Sequence, residues 1–217
     1  YPFWQVFRAM GPILMAGNTM LLKHASNVTG CALAIQNALV AAGLPQSIFQ
    51  TLVLPSSQME SIIAHPFVKA VTFTGSSSAG KKVAAVAAAN LKKQVLELGG
   101  SDAYIILEDA NLRTATELCV HSRLNNTGQS CICAKRFIVV KEIAETFTNQ
   151  VVQLMEKIHW ADPMNAATQM GPMARVDLRD ELHQQVLKSI AMGATLLCGG
   201  FIPEEKGAFY PASVLSN

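Results

Sequence analysis

Apolar positions along the chain recur in two rhythms, which take turns from one end to the other. Helical spacing is expected over Phe3–Met10, over a segment capped by Ser26 or Asn27 and running to about Ala42, and over Gln58–Ala64. It recurs from Ser76 to Asn90, from Asn111 to about Leu124, and over Ile143–Lys157 and Val176–Met192. Short apolar or β-branched runs between them predict strands at Thr19–Lys23, Thr51–Leu54, Lys69–Thr74, Lys93–Leu98, Ala103–Leu107, Phe137–Val140 and Thr195–Cys198. Gly43 followed by Pro45, and Gly193, are stop signals after helices. Strand and helix alternating in this way predict an α/β protein with one largely parallel sheet covered by helices.

Composition sharpens this picture only slightly. Half of the 217 residues are apolar and 15% are charged, so a sizeable core is expected. A net charge of +2 is too small to argue for nucleic acid or an anionic membrane as partner. The charge is uneven, however. Residues 1–99 carry seven Lys/Arg against two Asp/Glu, and residues 100–217 carry ten against thirteen. The shift at Gly99-Gly100 is taken as a domain boundary, and the basic first half suits an anionic ligand such as a dinucleotide. Five cysteines without framework spacing fit a reducing compartment such as the cytoplasm. No apolar run approaches 18 residues, so no transmembrane helix is expected. His and Cys show no metal-ligand spacing, so no metal is expected. The start at Tyr1 suggests a piece of a longer protein.

Three stretches carry candidate chemistry. Gly75-Ser76-Ser77-Ser78-Ala79-Gly80-Lys81 joins a strand to a helix N-terminus, where unpaired N–H groups favour anions. It is neither GxGxxG nor a P-loop, since Lys82 stands where Ser or Thr is needed. Any strand–helix junction presents such a turn, so alone it does not fix a ligand. Glu97 closes an apolar strand before Gly99-Gly100. A carboxyl desolvated there would serve as a general base; paired with a nearby lysine it would be structural. Asn126–Arg136, NTGQSCICAKR, places Cys131 and Cys133 behind a Gly-Gln pair. Gly128 permits a tight bend, and Ser130 and Ala134 leave the thiols uncrowded. Cys31, Cys119 and Cys198 read as packing residues. Arg8, in an apolar segment, is either a snorkelling surface residue or a buried anion clamp.

In this order FTGSSSAGK (Phe73–Lys81), LELGGSDA (Leu96–Ala103) and NTGQSCICAKR resemble the aldehyde dehydrogenase superfamily. LLKHAS (Leu21–Ser26) looks like its cofactor-ribose segment, Tyr1-Pro2 like the tail of its Trp-Asn-Phe/Tyr-Pro motif, and Glu97 and Cys131 stand 34 residues apart as in that family. The GGSDA variant and Gly171–His183 most resemble its bacterial succinate semialdehyde dehydrogenases. The resemblance implies a partial Rossmann-like cofactor domain over 1–99 and a partial α/β catalytic domain over 100–217. It implies Cys131 as nucleophile, forming a thiohemiacetal and then a thioester, and Glu97 as base for the hydrolytic water. NAD or NADP is the implied cofactor, with Gly75 and Ser76 at the pyrophosphate, Lys23 at the adenine ribose and Leu98 by the nicotinamide. Ser26 stands where strict NAD users often carry a glutamate, so both cofactors are expected to be usable. Arg8 matches the substrate-carboxylate arginine. A second family arginine is replaced by Asn125, and Arg123 is expected to substitute for it. Cys133 resembles the partner in a redox switch; in an extended segment its Cα would lie about 6.5–7 Å from that of Cys131. A homodimer or homotetramer acting on a small aldehyde is implied. Two alternatives stand beside this: acyl transfer to coenzyme A, against which Glu97 counts, and a non-catalytic dinucleotide-binding fragment.

Overall fold

The computed structural model describes residues 1–216. The chain forms two compact units, Tyr1–Gly99 and Gly100–Asn217.

The first unit begins with helix α1 (Trp4–Met15), followed by strand β1 (Met20–Leu22), helix α2 (Thr29–Ala41) and strand β2 (Phe49–Thr51). Helix α3 (Met59–Ala64), strand β3 (Ala70–Thr74), helix α4 (Ser77–Ala89) and strand β4 (Lys93–Glu97) complete it. β1 pairs with β2, and β3 with β4, both parallel. Val6, Met10, Leu22, Ala32, Ile35 and Phe49 form its core, with Leu14 packed against them. Burial of each large side chain stabilises by roughly 1.5–3 kcal/mol. Thr51 ties β2 to α2: its N–H donates to Gln36 Oε1 and its hydroxyl to the Ala32 carbonyl.

Several boundaries differ from expectation. α1 was expected to stop at Met10 but continues through Gly11 and Pro12 to Met15. Val6, Met10 and Leu14 keep one apolar stripe at four-residue spacing across that pair, and its packing outweighs the lost N–H of Pro12. Ser26–Val28 is a short 3-10 turn before α2, and no side chain caps either segment. β2 lies at 49–51 rather than 51–54.

The second unit holds strand β5 (Asp102–Ile106), helix α5 (Leu112–Leu124), strand β6 (Ala134–Val139), helices α6 (Lys141–Glu156) and α7 (Val176–Ala191), and strands β7 (Thr195–Cys198) and β8 (Val214–Ser216). β5 and β6 are parallel; β7 and β8 are antiparallel. Asn111 caps α5, its Oδ1 accepting from the Thr114 N–H, as its position before the apolar period predicts. The core gathers Ile106, Cys119, Val120, Phe147, Val151 and Met155 between β5, α5 and α6. Phe137 meets Phe147 edge to face at 5.7 Å between ring centroids.

The expected single sheet is replaced, among the described residues, by four two-stranded pairs, three of them parallel. Apolar runs locate strands but do not specify which edges meet. β3, expected to be a buried strand, is only half-buried, with Ala70 and Thr74 exposed. A lone pair leaves faces open, and Val95, Ile105 and Ile138 are exposed on β4, β5 and β6. Among the described residues no helix is long and apolar enough to cross a membrane.

Candidate active site

In the first unit the parallel register puts Thr74 beside Glu97, so β3 and β4 end together. The Gly75 N–H donates to the Glu97 carbonyl, extending the ladder into the turn. Ser76 then leaves the strand with extended backbone and caps α4, its Oγ accepting from the Ala79 N–H. The N–H groups of Ser77 and Ser78 have no acceptor within the helix, as in the first turn of any helix. Helix α4 closes onto the end of β4 at Gly80, where a Cβ would stand 2.4 Å from Leu98 Cδ2. Leu98 therefore fixes the helix that the turn begins, a tie that the spacing of the glycines did not reveal.

Of the two readings of Glu97, desolvated or paired, the structure shows the paired one. Its side chain is 42% exposed, and Oε1 lies 2.5 Å from Nη2 of Arg8, itself 47% exposed. The partner is an arginine from α1 rather than a lysine at the sheet edge. Arg8 is thus a carboxylate clamp in the structure, and the carboxylate it holds belongs to the chain.

The Lys23 ammonium donates to Ser56 Oγ at 3.1 Å. Ser26 lines a cleft of about 340 Å³ with His24, Thr29, Ala32 and residues 51–55. His24 is anchored at both ring nitrogens. Its Nδ1 accepts from the Ala25 N–H, so Nε2 carries the proton and donates to the Pro2 carbonyl. Ser56 and His24 were not singled out in the sequence. The Pro55-Ser56-Ser57 turn after β2 was the available signal for Ser56; a histidine beside Lys23 carried none.

In the second unit Cys131 sits in a turn and is exposed, whereas Cys133 is 1% exposed, its thiol directed at the Asn125 carbonyl 3.6 Å away. The chain at 131–133 is therefore not the extended segment assumed for a disulfide; the Cys133 N–H donates to the Ser130 carbonyl, and both thiols are free. The approach to Cys131 is unusual. Asn126, Thr127 and Gly128 have φ of 52°, 57° and 71°, three successive left-handed residues of which one is β-branched. Long-range hydrogen bonds impose this shape. Thr127 Oγ1 donates to the Gly171 carbonyl, and Gln129 Oε1 accepts from the Ala174 N–H. Asn126 and Gln129 exchange side chain–backbone hydrogen bonds in both directions. Lys135 Nζ donates to the Cys131 carbonyl at 2.7 Å. Arg123 donates to the Gly128 carbonyl at 3.3 Å, and a Cβ on Gly128 would stand 3.0 Å from its guanidinium. Arg123, expected at the substrate, here braces the turn. Thr127, Lys135 and the 171–174 segment were not foreseen as its supports, because each acts through folded contacts.

Cys119 is buried, and Cys31 and Cys198 are half-buried. Burial pushes the Cys119 thiol above its ordinary range. Burial does the same at Cys198, where a hydrogen bond from the Val214 backbone opposes the rise and the nearby Glu156 charge adds to it.

The two units, one of parallel strand pairs with a capped turn and one presenting an exposed thiol, superimpose on aldehyde dehydrogenase fold chains at TM-scores up to 0.96. The chain matches the aldehyde dehydrogenase family over residues 1–217 and belongs to it. It is 46% identical to a succinate-semialdehyde dehydrogenase (NADP+) of Mycobacterium avium, the match covering all of this chain and 46% of that protein. It is 47% identical to the succinate semialdehyde dehydrogenase (NAD(P)+) Sad of Escherichia coli, again over the whole chain and 47% of that protein. The structure superimposes on succinic semialdehyde dehydrogenase from Streptococcus pyogenes, solved with NADP+, with TM-score 0.96 and 32% identity, covering 99% of this chain and 47% of that one. The chain therefore spans about half the length of the relatives it matches.

Proposed function

We propose that the full-length protein carrying this chain oxidises succinate semialdehyde to succinate with NAD or NADP. Among the described residues Cys131 is the one cysteine classed as exposed, and the turn beneath it is hydrogen-bonded into the scaffold. That single observation carries the choice of nucleophile, and the likeness to succinate semialdehyde dehydrogenases supports the substrate.

Residues 1–99 act as part of the dinucleotide-binding domain and 100–217 as part of the catalytic domain. The donor set fits a dinucleotide: a 13-residue helix with a Ser76-capped N-terminus after Gly75, Ser26 lining the cleft, and Lys23 hydrogen-bonded to Ser56. Leu98 would border the nicotinamide of a bound cofactor. Ser26 carries no charge to repel a 2′-phosphate, so both cofactors are accepted. The bound cofactor supplies the hydride acceptor for turning thiohemiacetal into thioester. The chain supplies the rest. The Cys131 thiolate adds to the aldehyde carbon, and the Cys131 N–H helps hold the resulting oxyanion. In hydrolysis Glu97 takes a proton from water as its oxygen adds to the thioester carbon; the C–S bond then breaks and Cys131 leaves as thiolate. Arg8 grips the distal carboxylate in two-pronged fashion. Arg123 serves by holding the Gly128 turn. The protein works in the reducing cytoplasm as a dimer or tetramer, a setting that suits five free thiols.

The test is reduced-cofactor formation from succinate semialdehyde by the full-length protein. Cys131→Ala is expected to lower turnover by at least about a thousandfold with the fold retained. Glu97→Gln is expected to leave thioester formation but slow its hydrolysis, so acylated protein accumulates. Coenzyme A consumption would move the protein to the acyl-transferring branch, and full activity in Cys131→Ala would remove the nucleophile assignment.

A further inference from the structure

Arg8 carries two assignments that one guanidinium does not fulfil at once. It is the proposed clamp for the substrate's carboxylate, yet its Nη2 lies 2.5 Å from Oε1 of Glu97, the proposed base. The contact holds the Glu97 side chain at Arg8, so while it lasts the carboxylate is not free to turn toward a water elsewhere. The two residues come from separate elements, α1 and the end of β4, so the pair forms through folding and not through a local turn.

Resting on that assignment of Arg8 and Glu97, we propose that Arg8 is an exchange site for carboxylates: it tethers Glu97 until the substrate's own carboxylate displaces it. Both side chains are nearly half exposed, and such pairs hold weakly, favouring the paired form by up to about fivefold. An incoming carboxylate offers the same fork the same chemistry and needs only modest affinity to win. Tethering and substrate binding are then linked reciprocally. The base becomes available when an aldehyde bearing a carboxylate fills the site, and an uncharged aldehyde of equal length meets a base still held. Selectivity for the acid-bearing substrate would thus act in the hydrolysis step as well as in binding, which a clamp alone would not produce.

The experiment uses the full-length protein and butanal, an uncharged aldehyde, and reads the single-turnover rate of thioester hydrolysis. Acetate added in trans should raise that rate twofold to about fivefold in the wild type, as expected for freeing an exposed pair. Arg8→Gln should hydrolyse the butanal thioester at the raised rate without acetate and respond to acetate no further, while its KM for succinate semialdehyde rises. No acetate effect in the wild type overturns the proposal, and this arm decides even if Arg8→Gln fails to fold. Failure of the underlying assignment looks different: Glu97→Gln would then hydrolyse the thioester as fast as wild type, whatever acetate does.

Discussion

In the first unit the candidate charged groups hold each other, while in the second the backbone holds the candidate thiol. Arg8 and Glu97 meet as half-exposed side chains on long flexible stems. Cys131 follows a turn pinned at Thr127, Gly128 and Gln129 by contacts that reach as far as Gly171 and Ala174. A nucleophile must wait in one place, and three left-handed residues held by tertiary bonds provide that. A base that acts in one step and stands aside in another is better served by a weak tether. The two regions thus differ in how much structure each candidate group depends on.

Equal cores underlie these unequal sites, which gives the largest expected effect. Phe49 and Phe147 are each 1% exposed at the centre of their own clusters. Phe49→Ala and Phe147→Ala should each cost about 3–5 kcal/mol, read from urea unfolding. A loss below about 1 kcal/mol in either would show that one unit lacks a packed core and would remove the common footing of the comparison.

At the sites themselves the substitutions should diverge. Gly128→Ala forces a Cβ into left-handed backbone against the Arg123 guanidinium. It should cost about 1–2 kcal/mol and slow alkylation of Cys131. Arg8→Gln removes an exposed pair and should cost at most about 1 kcal/mol. Equal costs would place the Arg8–Glu97 tether on the same footing as the Cys131 turn.

Most elements were legible in the sequence because their signals are local. Asn111 before an apolar period forecast a cap that the Thr114 N–H uses, and the Gly-Ser turn forecast the start of α4. What stayed hidden depends on residues far apart. Pro12 signalled a helix end, but Val6, Met10 and Leu14 carry α1 past it. Strands could be found but not their partners, so one expected sheet became four pairs. At the site, the residue types of Glu97 and Arg8 were visible and their ion pair was not. The left-handed backbone of Asn126 and Thr127 was equally hidden, since nothing in either residue type requires it and the bracing segment lies more than forty residues on.

Thiol chemistry gives a smaller effect within the second unit. Cys131 is exposed, while burial raises the Cys119 and Cys198 thiols. Iodoacetamide should therefore label Cys131 first, and the other two should resist until pH rises above the ordinary thiol range of about 8.5. The linked stability has a definite sign. A folded thiol pKa above the unfolded value stabilises the protein below the unfolded pKa, and that contribution fades as pH climbs through the folded value. Peptide mapping of the alkylated protein at two pH values checks the order; early labelling of Cys119 would contradict its place in the core.

The smallest effect comes from a second ion pair, whose contrast with Arg8–Glu97 is instructive. Arg175 and Asp177 stand two residues apart at the start of α7, so their contact needs only local backbone and no other element. The Arg175 guanidinium holds the Asp177 carboxyl below the usual carboxylate range, with the N–H groups of Asp177 and Leu178 assisting and desolvation opposing. A negative charge in the first helical turn also suits the helix dipole. Because the folded value is the lower one, the contribution is present above the unfolded pKa of about 3.9 and is lost as pH falls through the folded value. Asp177→Asn should therefore lower the urea midpoint slightly near neutral pH, and the gap to wild type should close on acidification. Succinate should leave that gap unchanged, since this pair is built within one turn and takes no part in the proposed carboxylate exchange. A gap that persisted in acid, or that responded to succinate, would mean that Asp177 acts through something other than its charge at the head of α7.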